Sequence, residues 1–234
     1  MSDVSNDEVL QDLPWPEPET PRADLGASIV KQCTEGLQPK RGMTALTRTA
    51  LSFALALGVV LVFGVLSSAQ RPEGALRAAL FGAAGWAVVQ ALVLAAGFLR
   101  PPGRRGGANL RFVLAVAVPV AFLAYLAFAA SEQLPLGEFF SASHGGGALG
   151  CGLHALLFGA ISGGGTLFLW RGTDPFSPGI SGALAGLVGG LAGAVTIGVT
   201  CPSGETWHLW LGHGAAVAAL ALAGALLGRR VLSP

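Results

Sequence analysis

Six stretches of about 20 apolar residues, set apart by short polar segments, leave this chain few ways to fold. They run over 50–69, 77–99, 112–130, 149–170, 180–200 and 209–227. A bilayer's hydrocarbon core is about 30 Å thick, and about 20 helical residues cross it. Backbone N–H and C=O groups have no water to bond there, so a spanning segment must be a helix or part of a closed barrel. None of the stretches alternates with period two, as barrel strands do. The expected fold is therefore an all-α membrane protein. Six transmembrane helices form a bundle behind a short cytoplasmic N-terminal tail.

Charge supports this reading. Of the 234 residues, 52% are hydrophobic and 12% charged, against roughly 25% charged in a soluble domain. Between Leu110 and Gly228 the only charged residues are Arg111, Arg171, Glu132, Glu138, Asp174 and Glu205. A net charge of +1 gives no footprint for nucleic acid. The first apolar stretch begins after an acidic polar segment, which argues against a cleaved signal peptide. Pro119 falls inside the third stretch and is expected to kink it. Glycine totals 35 residues, and small residues let membrane helices approach closely. The pairs Gly182/Gly186, Gly186/Gly190 and Gly189/Gly193 share the spacing of a tight packing face.

Basic residues near the ends of the spans set orientation. Lys31, Lys40, Arg41, Arg48, Arg100, Arg104, Arg105, Arg111, Arg171, Arg229 and Arg230 fall on one side, against Arg71 and Arg77 on the other. Both termini are therefore expected in the cytoplasm, with the bundle in a bacterial inner membrane.

The chain divides into a tail, residues 1–49, and a bundle, residues 50–230. Residues 1–39 carry eight acids against Arg22 and Lys31. Leu25, Ile29, Cys33 and Leu37 recur every four residues, with Val30 beside them. That spacing predicts a short amphipathic helix over about 24–38, with Asp24 as its N-cap. So short a helix is marginal alone in water, and its apolar stripe requires a partner groove or a membrane surface. The bland alternative is a disordered acidic tail.

All four histidines and two of the three cysteines fall toward the outer face of the bundle. His144 is placed in the outer loop, Cys151 and His154 at the outer end of helix four, and Cys201 at the end of helix five. His208 and His213 flank the start of helix six. Thiolate and imidazole suit zinc, copper and related metals, while an oxidising compartment favours disulfides. Taken one at a time, a buried Cys is more often a small apolar residue and an interfacial His a polar anchor. As a group they point to a sensing or redox site. A transition metal at Cys151 and Cys201 is its possible cofactor, and His144, His154, His208 and His213 are further candidate ligands. No CxxC, HExxH, Ser/His/Asp set or intramembrane acid is visible, so neither an enzyme nor an ion-coupled transporter is indicated.

One ordered set of features resembles a known family. The Gly/Ala-rich segment from Gly182 to Leu187 leads to Thr200-Cys201-Pro202, then Trp207 and Trp210, and closes on Leu226-Leu227-Gly228-Arg229-Arg230. Cys151 precedes these, with Pro175 and Pro178 between, and the tail leads into Pro39-Lys40-Arg41. This is similar to the NrsF-type negative regulators of sigma F, six-helix membrane anti-sigma factors. The resemblance implies that the tail holds an extracytoplasmic-function sigma factor at the membrane. It also implies that Cys151 and Cys201, which match the family's paired cysteines, sense metal or oxidant. The tail before Asp24 is longer and more acidic than the family pattern. A small transporter and a scaffold whose tail binds another partner are the alternative readings.

Overall fold

The computed structural model describes residues 27–31, 43–65, 73–100, 107–130, 142–201 and 203–234. Met43–Pro234 forms one compact unit. In the tail, residues 27–31 are helical, with Ile29 and Val30 exposed. Asp24, Leu25, Cys33 and Leu37 lie outside the described residues.

Six helices of the compact unit are long and apolar enough to cross a membrane. Helix α1 spans Ala45–Val59 and runs on through a π-helical segment, Val60–Val65. Helices α2 (Glu73–Phe98), α3 (Ala108–Ala129), α4 (Ala142–Leu169) and α5 (Pro178–Thr200) follow. Helix α6 is continuous over three pieces: Thr206–Leu209, a π-helical Trp210–Gly214, and Ala215–Val231. The six predicted stretches thus correspond one to one with helices. The ends differ. Helix α1 starts five residues before the apolar stretch, where Thr44 caps it by accepting the Thr47 N–H at 3.1 Å. Helix α4 starts at Ala142 and takes in the Gly145–Gly147 run, so His144 sits in its first turn and not in a loop. Helix α3 is unbroken through Pro119. His208 and His213 lie inside α6, which starts at Thr206, and do not flank its start.

Helix α5 is the axis of the bundle, with 89% of its apolar window buried, against 11% to 44% for the other five. Glycine makes this possible. A Cβ on Gly186 would strike the Leu220 carbonyl oxygen of α6, and one on Gly190 would stand 2.7 Å from Val217 Cα. On the adjoining part of the same broad face of α5, a Cβ on Gly193 would strike the Ala155 carbonyl of α4, and one on Gly189 would stand 2.6 Å from the Gly163 backbone nitrogen. The expected glycine packing face is thus present, and it takes α4 and α6 side by side. Leu184, Leu187, Val188 and Leu191 fill the layer around it with almost no exposure. Large apolar side chains point outward: Phe81 is 81% exposed and Phe128 90%. In water such a surface would be sticky; in lipid it is the solvent-facing one.

At the end of the bundle where α1 begins, here the proximal end, a buried polar knot ties three elements. Arg111 of α3 donates to Asp174 Oδ2 at 3.2 Å, to Ser181 Oγ at 2.8 Å, and to Ser177. Ser181 also donates to Asp174. Asp174 Oδ1 accepts the N–H groups of Phe176 and Ser177 at 3.2 and 3.1 Å and so shapes the turn that starts α5. Gly172, at φ +65°, supplies the left-handed residue in that turn. Arg111, counted from sequence only as a boundary cation, is 4% exposed.

Candidate metal and redox site

At the opposite, distal end, three elements bring four soft or borderline ligands together. Cys201 follows the last residue of α5. Pro202 comes next in sequence, and a residue before proline is driven out of helical geometry. Cys201 accordingly has extended backbone angles, φ −73° and ψ 124°. The helix ends there, with the Cys201 N–H donating to the Ile197 carbonyl at 2.7 Å.

Cys151 comes from α4. The glycines around it allow α6 to close in. A Cβ on Gly212 would lie 3.2 Å from Cys151 Cβ and 3.1 Å from the Ala148 carbonyl oxygen. A Cβ on Gly147 would touch His208 Cε1 at 3.6 Å.

The two histidines are aligned by the π-helical piece of α6. In an α-helix, residues five apart are about 140° apart around the axis. A wider turn with i→i+5 bonding brings them nearly into line. Here the Ala215 N–H bonds the Trp210 carbonyl, five residues back. The His208 and His213 ring centroids are 6.0 Å apart.

The resulting group is compact. Cys151 Sγ stands 3.8 Å from Cys201 Sγ, and Cys201 Sγ stands 3.2 Å from His208 Nε2. One ligand atom from each of Cys151, Cys201, His208 and His213 lies within 4.8 Å of the others. No disulfide joins Cys151 and Cys201. Cys201, His208 and His213 are buried and Cys151 is half-buried. His213 is 1% exposed, and its Nε2 has no hydrogen-bond partner. A buried imidazole nitrogen without a partner is costly unless something fills the place.

Burial pushes the Cys201 thiol up, but it is outweighed. Hydrogen bonds from His208 and His213, the Ser203 backbone N–H and the charge of His213 favour the thiolate, and together they lower it to about 5. Thiolate is the form that binds metal and reacts with oxidants.

The other candidate residues are placed elsewhere. His154 is exposed; its Nδ1 is 2.8 Å from the Gly150 carbonyl oxygen, and its ring packs near Phe158. It is not one of the four. The side chain of His144 lies outside the described residues. A position three residues after Cys151 shares its broad face, but only the close approach of α6 selects which imidazoles reach the thiols.

Two thiols and two imidazoles fit a tetrahedral site. Two metal–sulfur bonds of about 2.3 Å at the tetrahedral angle span about 3.8 Å between sulfurs, which is the separation seen here. The donor set suits zinc and its heavier relatives over magnesium or calcium.

A family model described as negative regulator of sigma F matches residues 34–233. The chain belongs to the NrsF family. No curated protein sequence and no solved structure matches it. As an NrsF protein it is an anti-sigma factor, a regulator of transcription whose partner is a sigma factor, and its six apolar helices make it a membrane protein. A regulator of this kind implies a non-enzymatic role. The match takes in all four residues of the site. Of the tail stripe it includes Leu37 and leaves out Leu25, Ile29, Val30 and Cys33.

Proposed function

We propose that this NrsF protein sequesters an extracytoplasmic-function sigma factor at the bacterial inner membrane and releases it on a metal or redox signal sensed from the periplasm. The observation that carries the signal half of this reading is the Cys151–Cys201–His208–His213 group. The orientation rests on the distribution of Lys and Arg, which puts both termini in the cytoplasm and the group on the outer face.

In this reading residues 1–49 are a cytoplasmic module and residues 50–230 the membrane bundle. The stripe Leu25, Ile29, Val30, Cys33 and Leu37 lies in a groove of the sigma factor and folds as it binds.

The signal acts on the joint between helices. Cys151 belongs to α4, Cys201 to the end of α5, and both histidines to α6. Bound metal would supply a cross-link among the three; a disulfide would tie α4 to the end of α5. The chain's own residues do the rest. The thiolate at Cys201 provides the reactive ligand, and His213 brings a buried nitrogen in want of a partner. The bundle has two packings, and sigma binds the tail better in one of them. Moving such a switch from 1:99 to 99:1 takes about 5.5 kcal/mol. A disulfide or a structural metal site contributes energies of that order.

The test is a transcriptional reporter for the partner sigma factor in cells carrying the full-length chain. Cadmium, zinc or diamide is expected to induce the reporter with the native chain and not with Cys151→Ser/Cys201→Ser. Equal induction of both by all three would sink the sensing assignment.

A further inference from the structure

A cavity of about 360 Å³ opens beside the thiol pair, between α2, α3, α5 and α6. Its walls include Ala79 and Trp86 of α2, Phe122 and Tyr125 of α3, then Cys201 and His213. The three aromatic rings form a cluster: Trp86 meets Phe122 edge-on at 4.8 Å and Tyr125 at 5.6 Å. The polar groups opposite include Ser203, the Cys201 thiol and the imidazole of His213, whose Nε2 is buried and unpartnered. The aromatic wall belongs to α2 and α3, with only 22% and 11% of their windows buried, so both present most of their surface to lipid. A cavity of this kind takes a flat, largely apolar ring with a polar atom at one edge, arriving from the bilayer.

We propose that this cavity binds a quinone-class oxidant and passes its oxidising power to the Cys151–Cys201 pair. This rests on the redox branch of the sensing reading above. The aromatic cluster holds the ring, and His213 Nε2, when it carries the proton, donates to a quinone carbonyl. Cys201, which lines the cavity, is the thiol that the quinone meets. Cys151, with its sulfur 3.8 Å from that of Cys201 and outside the cavity wall, is the resolving partner. In the reaction Cys201 enters as the thiolate, the Cys151 S–H bond breaks and one S–S bond forms. The two electrons go to the quinone, whose oxygens take up the Cys151 proton and one proton from water, giving the hydroquinone. The bundle would thereby report the oxidation state of the lipid-soluble quinone pool.

The experiment uses the full-length chain with Cys33→Ser, leaving two cysteines, in lipid nanodiscs under chelator and without oxygen. The probe is a benzoquinone with all four ring positions substituted, so that thiols cannot add to the ring. Diamide serves as a parallel oxidant. The expected result is one hydroquinone formed per two thiols lost, at a rate that saturates with quinone and falls at least tenfold in Ala79→Trp, which fills the cavity from its rim. A rate that is linear in quinone overturns the inference, and this criterion stands even where Ala79→Trp does not fold. Cross-linking by diamide but not by the quinone overturns the cavity's role and leaves the redox reading intact. Cross-linking by neither removes both.

Discussion

Cys151 Sγ and Cys201 Sγ stand 3.8 Å apart, on α4 and at the end of α5, and are brought together from 50 residues apart in sequence. Their approach depends on how the helices pack. The separation is set by glycines that let α4, α5 and α6 touch backbone to backbone. Packing and sensing are therefore one problem in this bundle.

Metal binding should depend on the histidines as well as the cysteines. Loss of an outer-shell partner costs roughly 10–100-fold in metal affinity, and His213→Ala removes a ligand outright. Zinc or cobalt titration of the full-length protein should show a drop of at least that size for His213→Ala and His208→Ala. His154→Ala, on the exposed side of α4, should bind as the native chain does.

The Cys201 thiol should titrate well below an ordinary cysteine. Its folded value, lowered to about 5 from 9.0, means thiolate is the main form at neutral pH. In Cys151→Ser with chelator, alkylation by iodoacetamide should rise with pH through a midpoint near 5. In the denatured chain the midpoint should return to about 8.5. Because the folded value is the lower one, the associated stability is present in full above the unfolded value and is lost as pH falls toward 5. A folded-state midpoint between 8 and 9 would contradict the thiolate assignment.

The glycine contacts should be intolerant of a single methyl group. A Cβ at Gly186 meets the Leu220 backbone carbonyl, which cannot swing aside. Overpacking typically costs 1–3 kcal/mol, and more where the obstacle is backbone. Gly186→Ala should lower the thermal midpoint in detergent by several degrees. Gly164→Ala, where nothing lies within 4 Å, should leave it unchanged.

The proximal knot should behave as a buried ion pair. Arg111 and Asp174 are 4% and 1% exposed. Removing one partner strands the other charge, at about 3–5 kcal/mol. Arg111→Met or Asp174→Leu alone should strongly destabilise the bundle. The double variant should recover much of the loss, as read by unfolding midpoints.

Much of the architecture was legible in the sequence. Hydropathy alone located six spans, because a stretch free of charge has one environment to go to. Helix ends were less legible: Thr44 at the start of α1 and Ala142-Ser143-His144 at the start of α4 are neutral or polar, and Gly145–Gly147 resembles a loop. Cys151 and Cys201 were recognisable as a pair, and His208 and His213 as candidates. The π-helical turn that aligns the histidines has no simple composition signal. It separates them from His154, which spacing alone had set beside Cys151. The Arg111–Asp174 pair was missed because its partners are 63 residues apart and each looked like a loop charge. Their signal was scarcity: few charges remain between Leu110 and Gly228, so each had reason to be paired.

The most direct test of the central claim is co-purification of the partner sigma factor with the full-length chain from membranes, before and after cadmium or diamide. The account predicts that the native chain retains sigma until treated and then loses it, while Cys151→Ser/Cys201→Ser retains it throughout. Release from both chains alike, or no retention by the untreated native chain, would contradict the account.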